Sequence, residues 1–370
     1  MREFYSREAL IAQLVEQAAV NRWVQGSSPC WGAYPPLRGF LFFLTLSFWR
    51  ELELSRLKLF LSWAIVLPLC FLLGYLLWER SGGDKNLSFN SEHDELRIVS
   101  TAPSVTEILC ALGLTERIVG VSNYCHYPPE IEGLPRVGSL YDYDTERIID
   151  LNPDYVVLLA ENETLAKSLS ELGIPYLCVD HSSLEGVLDS FVILGKKASE
   201  FEQSEGILER AQTQRNHMVE ELESIRKETA NLKKRRTLIS IFRELHKEGL
   251  GEIYVAGDNP YFNELLEIAG GVNVAQDLGG MAPIITAEGV IELNPEVIID
   301  MQPPEKSAAE DGLKEKETRA DWDSLKNGVD AVRLGQVYPI WDDYASCPGP
   351  RSILFARWLA DVVHKRASAE

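Results

Sequence analysis

One fourteen-residue phrase occurs twice in this chain, and it constrains the fold more than any other feature. Residues 144–157 read DTERIIDLNPDYVV, and residues 286–299 read TAEGVIELNPEVII. Each copy opens on a helix-starting residue and places a glutamate in the first turn, Glu146 in one and Glu288 in the other. Each continues as a short apolar-striped helix, stops at Leu-Asn-Pro, and enters a β-branched apolar run. Proline after asparagine ends the helix and turns the chain. The run that follows has the composition of a strand buried on both faces, as in a parallel sheet. A solenoid would repeat at a much shorter period. The expected fold is therefore α/β, with two similar lobes built on mainly parallel sheets.

Between the lobes the pattern changes. Glu185–Lys197 forms one amphipathic stretch, and residues 201–232 form a second, with no proline and a single early Gly206. At 1.5 Å per residue the second spans about 45 Å as a helix. Ile207, Leu208, Ala211, Met218, Leu222 and Ile225 give it an interrupted apolar stripe. The heptad is not sustained, which favours a long backbone helix joining two lobes over half of a coiled coil.

The first eighty residues pose a separate problem. From Leu57 to Trp78 the chain has an apolar run with one basic residue and no acid, long enough to cross a bilayer. Arg50, Arg56 and Lys58 on its N-terminal side orient the rest of the chain outward. Trp78-Glu-Arg follows the core directly, unlike the small-residue end of a cleavable signal. An N-terminal transmembrane anchor is the expectation. Residues 10–33 resemble the peptide produced when a transfer-RNA gene is translated, so 1–50 is expected to be a doubtful extension. The expected organisation is 51–80 anchor, 81–95 linker, 96–183 first lobe, 184–232 connecting helices and 233–370 second lobe.

A net charge of −20 on 370 residues argues against nucleic acid as the main partner. The six cysteines show neither a CxxC pair nor zinc spacing, which leaves them as small buried residues or isolated thiols. No nucleophile–base pair or acid–base dyad emerges, so catalysis is not expected.

Several segments make a resemblance specific: PSVTEILCALG (103–113), VGVSNYCHYPPEI (119–131), DTERIIDLNPDYVVLL (144–159), NELLEIAGGVNV (263–274) and PGPR (348–351). Over about residues 96–366 the chain resembles the periplasmic solute-binding proteins that deliver cobalamin, haem or ferric siderophores to ABC importers. The resemblance implies a ligand held in an interlobe cleft, a permease with its ATPase as partner, and an extracytoplasmic location. It requires no cofactor apart from the cargo. It also implies that Glu146 and Glu288 dock onto arginines of the permease, where bidentate pairing is directional. Either acid also stabilises its helix N-terminus, and both roles can hold together.

Loops at strand ends facing the cleft are the expected ligand site. In the first lobe these carry Tyr124, Cys125 and His126, then Tyr141 and Tyr143; in the second, Arg243, Tyr261 and Phe262, then Trp341, Asp343 and Tyr344. Aromatic side chains offer rigid, low-entropy surface to a flat macrocycle. Tyr124 matches a tyrosine that packs on the corrin in cobalamin binders, whereas Leu140 departs from a tryptophan found nearby in them. Segment 138–143 lacks the arginine of hydroxamate-siderophore binders. Cys125, His126 and Cys347 leave a metal site or a disulfide across the cleft open, while no metal is assigned. Arg243 and Arg351 either meet acidic groups of the cargo or pair with Asp342 or Asp343. The expected cargo is cobalamin or a related corrinoid, with haem or a ferric chelate as the alternative. A sensing ectodomain and a chelatase-like enzyme are the remaining readings.

Overall fold

The computed structural model describes residues 95–139, 142–243, 250–303 and 311–364. The anchor expected at 57–78 lies outside them, as do Leu140 and Tyr141. Among the described residues, no helix is long and apolar enough to cross a membrane.

The first lobe alternates strand and helix: β1 (Ile98–Ser100), α1 (Pro103–Ala111), β2 (Ile118–Val121), the short hairpin β3 (Gly138–Ser139) and β4 (Asp142–Tyr143), α2 (Thr145–Asp150), β5 (Tyr155–Leu159), α3 (Glu163–Leu172) and β6 (Tyr176–Val179). Its four-stranded sheet runs β2-β1-β5-β6, and every pairing is parallel. Strand β5 is buried along its whole length, as its apolar run requires. Helix α1 has no side-chain cap at its N-terminus. It starts at Pro103, whose missing N–H needs no partner, and Thr106 Oγ1 bonds back to the Ala102 carbonyl.

The connection is a helical hairpin, α4 (Leu184–Glu202) and α5 (Glu205–Thr229), with Gln203 in the left-handed region at the turn. The long helix is therefore shorter than its sequence pattern suggests, about 37 Å at 1.5 Å per residue. Ile207, Ala211, Met218, Leu222 and Ile225 are its buried stripe. Gly195 of α4 faces Ala211 so closely that an added Cβ would lie 2.4 Å from the alanine Cβ.

The second lobe contains β7 (Arg235–Arg243), β8 (Ile253–Val255), α6 (Pro260–Ile268), β9 (Gly271–Asn273), β10 (Ile284–Ile285), α7 (Ala287–Leu293), β11 (Val297–Met301), α8 (Asp311–Asp321), α9 (Asp330–Arg333), β12 (Val337–Ile340) and α10 (Ser352–His364). Its sheet runs β10-β8-β7-β11-β12, with β9 also on β7. Strands β9, β7, β11 and β12 are parallel, but β8 and β10 are joined antiparallel, so this sheet is mixed. Removing those two strands leaves β9-β7-β11-β12, the counterpart of β2-β1-β5-β6.

The repeated phrase occupies the same place in both frames. Helices α2 and α7 precede the interior strands β5 and β11, and Asn152 (φ 43°) and Asn294 (φ 37°) both sit in the left-handed region. Asparagine tolerates that region better than any β-branched residue, which is why it precedes proline at each helix stop. Ile148 and Val290 each anchor their helix in the lobe core. The two helices are also clamped alike at their C-terminal ends. Arg97 Nη2 donates to the Leu151 carbonyl at 2.6 Å, and Arg236 Nη2 donates to the Leu293 carbonyl. In return Asp154 accepts the Arg97 backbone N–H at 2.8 Å, and Glu296 accepts that of Arg236 at 3.0 Å.

Candidate ligand cleft and docking helices

Helix α1 follows the C-terminal end of β1, and α10 follows the loop after β12. The two meet across the lobe boundary. Glu107 of α1 is 3% exposed and accepts from Arg351 Nε at 3.0 Å and Nη2 at 2.6 Å. Cys347 Sγ donates to the same carboxylate at 3.3 Å, and Arg351 Nη1 also donates to Asp343. The Arg351 guanidinium lies 4.0 Å over the Tyr127 ring from the first lobe. A buried ion pair thus joins the first helix of one lobe to the start of the last helix of the other. Burial raises the Glu107 pKa, against the opposing hydrogen bonds and charge of Arg351. For Arg351, burial acts to lower the pKa, but Glu107 and Asp343 outweigh it and hold the guanidinium protonated. We take the pair as ionised, because both Glu107 oxygens accept charge-assisted donors.

The loop Ser122–Pro128 extends from the end of β2. Arg136 Nη1 donates to the carbonyls of Ser122 (3.1 Å) and Cys125, and Nη2 to that of Glu132 (3.2 Å), so the guanidinium braces this loop from behind. Tyr124 is left part-buried and His126 exposed. Tyr143 is part-buried, with its hydroxyl donating to the Thr101 carbonyl at 3.2 Å. An open cavity of about 490 Å³ is lined by Asn123, Arg136, Tyr143 and Glu146 among others, linking the loop to the start of α2. In the second lobe Trp341, Asp343 and Tyr344 are part-buried after β12, and the Tyr344 hydroxyl donates to Asp342 at 3.3 Å.

Four of the expected ligand residues point elsewhere. Arg243 is 3% exposed inside the second lobe, where it donates to Asp300 (2.9 and 3.0 Å) and Asp321 (2.9 Å), not to Asp342 or Asp343. Trp322 Nε1 donates to the same Asp300 at 2.8 Å. Tyr261 and Phe262 belong to the packing of α6 against α10: the Tyr261 hydroxyl is 2.8 Å from Ser352 Oγ, and Phe262 meets Phe355 edge-on at 6.3 Å. Cys125 is fully buried, 3.2 Å from both Thr106 Oγ1 and Ser122 Oγ. The physical reason is common to all four: each side chain is on the core side of its segment, where the polar atoms of Arg243, Tyr261 and Cys125 also find partners. Cys125 and Cys347 are free thiols, each with its pKa raised first by burial, which disfavours the thiolate a metal would need. No group of three or more metal-ligating side chains gathers among the described residues.

Sequence reasoning missed Glu107 and His181. His181, at the end of β6, bonds Ser104 of α1 at 2.8 Å and Ser190 of α4 at 3.0 Å, and burial lowers its pKa to about 4. The available signal was that Glu107 and Arg351 each lie inside a family segment, PSVTE and PGPR. Glu146 and Glu288 are both exposed in the first turns of α2 and α7. The Glu288 pKa is lowered, chiefly by a hydrogen bond from Thr286.

Comparisons with known proteins agree with this architecture. The chain is 28% identical over 275 residues to an uncharacterized ABC transporter substrate-binding lipoprotein of Bacillus subtilis, covering 72% of this chain and 80% of the relative. It is 28% identical over 260 residues to a vitamin B12-binding protein of Vibrio parahaemolyticus, covering 70% and 85%. The solved periplasmic haem-binding protein of Roseiflexus superposes with a TM-score of 0.58 over 73% of this chain and all of the other (100%), at 24% identity, a likeness of fold alone. The family model for periplasmic binding proteins matches residues 98–343. With its paired lobes and repeated helix–strand units, the chain belongs to the periplasmic binding protein family.

Proposed function

We propose that this protein is the solute-binding component of an ABC importer, a carrier that takes a corrinoid such as cobalamin into the interlobe cleft and delivers it to a permease with its ATPase. The observation that carries the reading is the matched pair of helices, α2 and α7, clamped alike and each exposing a carboxylate, Glu146 and Glu288. Residues 57–78 tether the chain to the membrane, with the lobes on the extracytoplasmic side.

Two observations support a corrinoid. The curated relatives include proteins named for vitamin B12 binding. Among the described residues, the arginines on or near the cleft loops are already committed: Arg136 to carbonyls, Arg243 to Asp300 and Asp321, and Arg351 to Glu107 and Asp343. A cargo rich in carboxylates would need free cations, whereas a corrin edged with neutral amides does not. The surfaces for it are Tyr124, His126, Tyr143, Trp341 and Tyr344. Haem or a ferric chelate is the second reading, favoured by Tyr124 and His126, which place an oxygen and a nitrogen donor on one loop.

Tryptophan-fluorescence titration of the full chain in detergent tests this with cyanocobalamin, haemin and a ferric hydroxamate siderophore. Saturable binding of cyanocobalamin alone is expected. Preference for haemin moves the assignment to the second reading, and failure to bind any of the three removes the carrier role.

A further inference from the structure

We infer that each docking helix carries an apolar contact beside its carboxylate, Ile149 with Glu146 and Ile291 with Glu288, and that the partner offers, twice over, a cationic side chain flanked by an apolar socket. This rests on the carrier reading above and specifies its docking surface.

The two copies of the repeat bury and expose the same positions. Ile148 and Val290 are fully buried and hold their helices to the lobes, while the next residues, Ile149 and Ile291, are 47% and 44% exposed. Each isoleucine lies three positions after its glutamate, so the pair shares a helix face. A single exposed isoleucine needs no explanation. The same exposure at the same step recurs in two lobes of otherwise different sequence: Ile291 rests in part against Gly328, yet 44% of it stays exposed, as 47% of Ile149 does.

The surroundings specify the occupant. Asp150 and Glu292 are exposed directly after the two isoleucines, so each patch reads acid, isoleucine, acid. Such a surface complements basic groups set around an apolar recess. The clamps at Leu151 and Leu293 hold the C-terminal ends of both helices to their lobes. Two equivalent patches on one chain fit a partner that is itself two-fold, each half meeting one lobe. The occupant is a pair of permease subunits.

The test uses the permease–ATPase complex that copurifies with the wild-type full chain, reconstituted in nanodiscs, and measures its affinity for purified variants at several salt concentrations. Ile149→Ser/Ile291→Ser is expected to weaken binding about tenfold or more while keeping the salt dependence. Glu146→Ala/Glu288→Ala is expected to weaken binding and flatten the salt dependence. Unchanged thermal unfolding of each variant keeps misfolding from imitating either result. An isoleucine variant that binds within about twofold of wild type while the glutamate variant is weakened overturns the apolar contact alone. If neither double variant is weakened, or no complex copurifies with wild type, the docking reading falls as well.

Discussion

Replacing Glu107 with alanine should loosen the junction between the lobes. The carboxylate is 2% exposed and holds two nitrogens of Arg351, itself 14% exposed, together with the Cys347 thiol. Removing one member of a buried pair costs about 3–5 kcal/mol, because the other charge stays desolvated. Arg351 keeps Asp343 and the Tyr127 ring, which places the loss at the low end, about 3 kcal/mol. Glu107→Gln keeps the shape and one acceptor and should lose less. Urea unfolding followed by fluorescence and by circular dichroism reads the loss, with coincident transitions justifying a single free energy. Spin labels on exposed sites of the two lobes should give a broader distance distribution in the alanine variant. A loss below about 1 kcal/mol, with an unchanged distribution, would refute the claim that this pair holds the lobes.

Two further outcomes follow from the connecting elements. Burial lowers the His181 pKa to about 4 in the folded state, against an ordinary histidine value of 6.5, so the unfolded chain binds its proton more tightly. Its contribution to stability is complete above pH 6.5 and is lost as pH falls toward 4, up to about 3 kcal/mol; His181→Gln should flatten that limb of the urea midpoint, and an unaltered limb would contradict it. Gly195→Ala should destabilise by about 1–3 kcal/mol despite the better helix propensity of alanine, because its Cβ would press on Ala211; a stabilised variant in thermal unfolding would refute the close approach.

Much of the frame is legible in local sequence. The Leu-Asn-Pro stops, the buried runs of β5 and β11 and the stripe on α5 follow from steric preference and periodicity, which act over a few residues. The candidate site was less legible. Tyr124, His126, Tyr143, Trp341 and Tyr344 lie on or beside the loops named for them, but Arg243, Tyr261, Phe262 and Cys125 face the core. Sequence pattern gives an element, but not which partner waits behind each side chain. Arg243 is settled by Asp300 and Asp321, two residues supplied by β11 and α8.

The sequence by itself determined two kindred α/β lobes, a helical connection and a glutamate on each repeated helix, because these depend on short-range conformational preference. Only the tertiary structure decided that Glu107 meets Arg351, that Arg97 and Arg236 clamp the two helices, and that the second sheet is mixed. Those contacts join residues up to 244 positions apart, and burial, which decides their strength, exists only once the chain has folded.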